Sequence, residues 1–234
     1  MQKNELTFDA IEVLKEAVVR SQPELFQLVR ERLDDRGQKL LDYVFEQYYL
    51  GDKMMGRWYD PYHVLYSTRF ALVLERTDEK ISPLIVPSII LHDIGYCALL
   101  DKTNLNNSQG RILHMQEGAA IAAKSLAEIG GFNPFEIGIS VEMVATHDNW
   151  ILDIPTTDPD RLALIDADKI FVMSFVSFYK DWVGGEGEDL SVEEFFDSRR
   201  HSFYGGKHSL STKLAQQWRD KQFEARQKEK GIFR

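Results

Sequence analysis

Helix-start and helix-stop signals punctuate this chain, and they constrain its fold more than any other feature. Asp60-Pro61 and Asp158-Pro159 each set a carboxylate, able to cap free N–H groups, before a proline suited to the first helical position. Asn133-Pro134-Phe135-Glu136 adds a glutamate at the third position, and Ser191-Val192-Glu193-Glu194 has the same cap-to-glutamate spacing. Gly51, Gly95 and Gly130-Gly131 stand where such helices stop. Between these marks apolar residues recur at helical spacing. Residues 84–94 have a composition that a strand would also tolerate, but no partner strands lie nearby. The expectation is an all-α bundle with additional N- and C-terminal helices.

In detail, the pattern predicts helices over residues 6–19 and 24–33, the second opened by Pro23. A third, 39–50, follows a break at Gly37 and carries the apolar stripe Leu40, Leu41, Val44, Phe45 and Tyr48. Further helices are expected over 61–76, from Pro87 to a stop at Gly95, over 111–129, from Pro134 to His147, and in one long run from Asp158 to Tyr179. Residues 101–110 read as a loop, 184–189 as a glycine- and acid-rich break, and 209–230 as a charged, solvated surface helix.

With 234 residues, 44% of them hydrophobic, the chain can bury a substantial core, and we read residues 1–234 as a single domain. The single cysteine, Cys97, excludes an intrachain disulfide, and its apolar setting reads as a buried structural thiol. No run of apolar residues reaches membrane-spanning length, and the first ten residues lack a secretion signal, so a soluble cytoplasmic protein is expected. A net charge of -9 argues against general nucleic-acid binding. It leaves room for a small phosphorylated ligand, because a metal ion can invert the local field. The apolar stripes near the N-terminus make a homodimer an option.

Four of the six histidines occur with aspartates in the order His63, His92-Asp93, His114, His147, Asp168. Imidazoles and carboxylates drawn from several helices can hold divalent cations. His63 shares a face with Tyr66, Phe70, Val73 and Leu74, so it points as the core points. His92 and Asp93 fall in the last turn of a short apolar helix, where a buried His-Asp pair is costly unless a charge satisfies it. His114 shares a face with Gly118, whose small size admits a neighbouring helix or a ligand. Glu117 could hydrogen-bond His114 or stay solvated. Asp148 reads as a capping or solvated acid. Of Asp166 and Asp168, the latter has the more uniformly apolar neighbours and reads as the buried carboxylate. His201 and His208 lack the core-facing pattern and read as surface or pocket residues.

This order resembles the HD superfamily of metal-dependent phosphohydrolases, whose signature H…HD…D lies on an all-helical core. Leu91-His92-Asp93-Ile94-Gly95 is similar to the central motif, Ala167-Asp168-Lys169-Ile170 to the last one, and His114 and His147 to the extra histidines of two-metal members. The resemblance covers an HD-like core at about 59–180. It implies that His63, His92, Asp93 and Asp168 hold one metal and that Asp93 bridges to a second held by His114 and His147. The catalytic roles fall to His92 and Asp93. The N/O donor set suits Fe, Mn, Co, Ni or Zn. Many family hydrolases carry a lysine where this chain has Tyr96. Arg111, Tyr96 and Lys169 are the candidate substrate contacts, with Arg57 and Lys207 as further cations.

The reading that follows is a phosphohydrolase directing a metal-activated hydroxide at a phosphomonoester or nucleotide. The same six donors also resemble the di-iron oxygenase branch of the superfamily, which cleaves C–C or C–P bonds with O2. A non-catalytic, metal-binding regulatory module is the third reading.

Overall fold

A computed structural model of the chain describes residues 3–49, 59–99 and 107–229, with side chains from residue 12 onward. Every regular element among these residues is helical: α1 Lys3–Arg30, α2 Asp35–Tyr49, α3 Asp60–Thr77, α4 Ile85–Leu91, α5 Ser108–Ile129, α6 Pro134–Thr146, α7 Pro159–Lys169, α8 Phe175–Gly184, α9 Val192–Gly205 and α10 Lys213–Glu229. Two short 3-10 turns, Ile94–Ala98 and Ile170–Met173, follow α4 and α7. The all-α expectation holds. No described helix is long and apolar enough to cross a membrane.

Several starts form as their sequences dictate. Asn133 accepts from the N–H groups of Phe135 and Glu136 while Glu136 reaches back to the Asn133 N–H, and Ser191 and Glu194 close the same box on α9. Gly130 and Gly131 end α5 with φ of 74° and 79°, a region that glycine enters without strain. Other expectations fail for local reasons. Pro23 opens no helix but lies inside α1. Gly37 breaks nothing: the Asp34 carboxylate accepts from its N–H at 2.8 Å, so α2 starts ahead of it. Asp60 is not a cap but the buried first residue of α3, which has no side-chain cap bond. The run from Asp158 to Tyr179 is interrupted at Ser174, whose hydroxyl accepts from the Ser177 N–H and starts α8. Asn107 caps α5, which begins three residues ahead of Arg111; most of the expected 101–110 loop, like Leu50, Gly51 and Arg57, lies outside the described residues.

The described chain groups into two compact units, Gln22–Ala167 and Met1–Ser21 with Asp168–Arg234. In the first, α4 is the central element and packs against α2, α3 and α6, while α5 packs against α2, α6 and the Ile94–Ala98 turn. Leu40, Leu41, Leu65, Phe70, Ile85, Ile89, Ile90 and Ile94 are fully enclosed there. α4 shows no polar face because it is surrounded, as its uninterrupted apolar sequence requires. In the second unit α10 packs on α9 and on the Ile170–Met173 turn around a ring cluster, Phe178 on Phe195 at 5.0 Å and Phe196 on Phe223 at 5.5 Å. The charged α10 is therefore not solvated all round. Phe223 and Arg226 are buried, and the Arg226 guanidinium donates to the Met173 carbonyl and to Glu229.

Candidate metal centre

The histidine and aspartate side chains are delivered by helix ends and one close backbone approach. His92 and His147 each follow the last residue of a helix, α4 and α6, where carbonyl groups lack intrahelical partners. Each ring turns back and donates its Nδ1–H to one of them, His92 to Ile89 and His147 to Val144, both at 2.7 Å. His114, in the second turn of α5, directs Nδ1–H to the Gly110 carbonyl at 3.4 Å, which leaves Glu117 no part in holding that ring. A carbonyl can only accept, so these bonds put the proton on Nδ1 and leave Nε2 with an exposed lone pair.

Asp93 is brought alongside by Gly95. A Cβ on Gly95 would lie 1.9 Å from the His114 carbonyl oxygen and 2.6 Å from the Gly118 nitrogen, so only glycine lets the 3-10 turn touch α5. Gly118 contributes the other half of that contact, as its size suggests.

The Asp93 carboxylate then divides its oxygens. Oδ2 lies 3.6 Å from His63 Nε2 and 3.4 Å from His92 Nε2. Oδ1 lies 3.6 Å from His114 Nε2 and 3.5 Å from His147 Nε2. Within each pair the ring nitrogens nearly meet, His63 with His92 at 2.8 Å and His114 with His147 at 3.0 Å. For His114 and His147, whose Nδ1 atoms both carry the proton, two Nε2 lone pairs face each other at that distance and repel unless positive charge sits between them. Donors on one ion with bonds of about 2.1 Å stand roughly 3.0 Å apart in an octahedron and roughly 3.4 Å apart in a tetrahedron, the spacing seen here. The donor set could thus hold a metal ion.

Asp168 is carried by α7 as the residue after Ala167. Asp166 is the fully buried carboxylate, whereas Asp168 keeps part of its surface open.

The charges respond to this crowding. Burial works against the Asp93 carboxylate, but His92, His147, His63 and His114 outweigh it and hold the group well below the ordinary carboxylate range. Burial, then the neighbouring His147, pulls His114 down to about 3. Burial disfavours charge on His147 too, yet Asp148 and Asp93 together raise it.

Asp148 is neither a cap nor a solvated acid. It is buried, its carboxylate accepts from Arg111 Nη1 at 2.7 Å, and it stands 3.6 Å from His114 Nε2. The available signal was the second His-Asp pair at a helix end together with Arg111 on the His114 face of α5. Tyr96 is buried and lies flat on the His114 ring, 4.2 Å between centroids, so it packs a candidate ligand in place. Lys169 is buried, with its ammonium 3.5 Å and 3.4 Å from the carbonyls of Lys207 and Ser209. Cys97 is partly exposed rather than buried. His201 is exposed, and His208 accepts or donates at 2.6 Å with the Ser202 hydroxyl while stacking on Phe203. Comparisons with known protein families, with curated proteins and with solved structures found no match.

Proposed function

We propose that this chain is an HD-superfamily phosphohydrolase acting on a phosphomonoester or a nucleotide. The observation that supports it is the division of the Asp93 carboxylate between the pair His63 and His92 and the pair His114 and His147. His114 and His147 with Asp93 make a ligand set for one cation, and the resemblance assigns His63, His92 and Asp168 to another, with Asp93 shared between them. Divalent cations held there would lower the pKa of a bound water toward neutrality and would offset charge developing on a phosphoryl group. The protein's own contribution is preorganisation. The rings of His92 and His147 are fixed by bonds to carbonyls, so their Nε2 atoms need no reorientation. Tyr96 braces His114 from its face.

A second reading, a di-iron oxygenase cleaving a C–C or C–P bond with O2, draws support from Tyr96. It stands where family hydrolases carry a lysine, and it packs on a histidine instead of offering a cation. Phosphate release from a panel of nucleotides and phosphomonoesters under anaerobic conditions supports the hydrolase. Oxygen consumption by the iron-loaded protein, with no phosphate released, overturns it in favour of the oxygenase.

A further inference from the structure

Arg111 precedes His114 by three residues, so both project from one face of α5. Its guanidinium is oriented rather than free, because Nη1 donates to the buried Asp148 carboxylate at 2.7 Å. Asp148 is in turn 3.6 Å from His114 Nε2, which sets the arginine beside the group Asp93, His114 and His147. The charge of Arg111 is felt at both His114 and Asp93. A guanidinium has five N–H donors, and Asp148 is the one acceptor bonded to this side chain among the described residues; Nε has none. The side chain keeps 27% of its surface open, so a ligand can reach it. A fixed, permanently charged fork with donors to spare, next to a site built for cations, is suited to an oxyanion that a metal also faces.

We infer that Arg111, held in place by Asp148, is the protein's contact for a non-bridging oxygen of the substrate's phosphoryl group. This rests on the phosphohydrolase reading. Asp148 balances the arginine's charge and fixes its direction, so the contribution of Arg111 is an aimed hydrogen bond more than long-range attraction. Of the three candidate contacts, Tyr96 lies flat on the His114 ring and the Lys169 ammonium is directed at two backbone carbonyls, whereas the Arg111 guanidinium has one acceptor for its five donors.

Inorganic phosphate is the probe, titrated calorimetrically into the full chain carrying the metal with which it purifies. Loss of a charge-assisted hydrogen bond weakens binding by about 10- to 100-fold, the change expected for Arg111→Met. Arg111→Lys restores part of it, because a point charge replaces the fork. Metal content, measured on the same samples, stays at the wild-type level in both variants. If Arg111→Met binds phosphate as tightly as wild type, the inference is overturned and the phosphohydrolase reading stands. If wild-type protein with its metal binds no phosphate, both fall together.

Discussion

Replacing Gly95 with alanine tests the contact that brings Asp93 to the histidines. The added Cβ would sit 1.9 Å from the His114 carbonyl oxygen, and real Cβ atoms do not approach below 3.0 Å, so the turn and α5 must part by about 1.1 Å. Both sides of the contact are backbone, and no side-chain rotation can relieve it. Overpacked cores lose about 1–3 kcal/mol, and a clash between two rigid elements belongs at the top of that range. For a chain of this length about 3 kcal/mol lowers the melting temperature by about 6–12 °C. Gly118→Ala is the matched control. There the Cβ meets Val144 Cγ1 at 3.3 Å, which a small side-chain shift relieves, and Gly95 N at 3.4 Å, an ordinary contact, while a helix interior gains about 0.8–1 kcal/mol from Gly to Ala. Its expected net change is within about 1 kcal/mol.

The assay is thermal and urea unfolding of wild type, Gly95→Ala and Gly118→Ala in the presence of chelator, so that metal affinity does not enter. Metal content is measured separately, and Gly95→Ala is expected to lose it because Asp93 moves from His114. Equal stabilities for the two variants, or a Gly95→Ala protein as stable as wild type, would refute the argument that this backbone contact builds the site.

Three further outcomes follow from the geometry. Metal retention falls on acidification, because protons compete with a cation for His147 Nε2, where Asp148 and Asp93 outweigh burial and raise the proton affinity; dialysis at pH 5 and pH 7.5 followed by metal analysis checks this. His208 is held down to about 4 by burial and by Arg199 and Lys169. Its unfolded form therefore binds more protons between about pH 4 and 6.5, and its contribution to stability is full above that window and lost as pH falls through it. Relative to a His208→Gln variant, the wild-type unfolding midpoint should fall more steeply from pH 7 to 4.5; a difference that does not change with pH contradicts the assignment. Arg226→Met leaves Glu229 and the Met173 carbonyl without their partner and should cost about 2–3 kcal/mol, read from urea denaturation.

Local signals were legible in the sequence and non-local ones were not. The caps at Asn133 and Ser191 depend on side chains within three residues of the atoms they satisfy, so the sequence carries the whole interaction. Pro23 and Gly37 misled because a breaker weakens a helix without vetoing it: Asp34 supplies the cap that starts α2 early, and α1 runs on past its proline. The break at Ser174 was hidden because the apolar pattern continues through it. At the site, the residue types and their order were readable, since His92 and Asp93 sit at a helix end as expected. The convergence was not readable, because it depends on Gly95 meeting α5. The burial of Asp148 comes from a partner 37 residues away, and no local pattern announces that pairing. Asp168 has the more uniformly apolar sequence neighbours, yet the full burial belongs to Asp166.

The central claim is that Asp93 is shared between two cation sites. Metal analysis of protein purified without chelator, for wild type and Asp93→Ala side by side, tests it most directly. The expected result is two transition-metal ions per wild-type chain and loss of both in Asp93→Ala, because each site surrenders a carboxylate oxygen. An unchanged metal content in Asp93→Ala, or a wild-type chain that holds no metal and takes up none of Fe, Mn, Co, Ni or Zn, would contradict it.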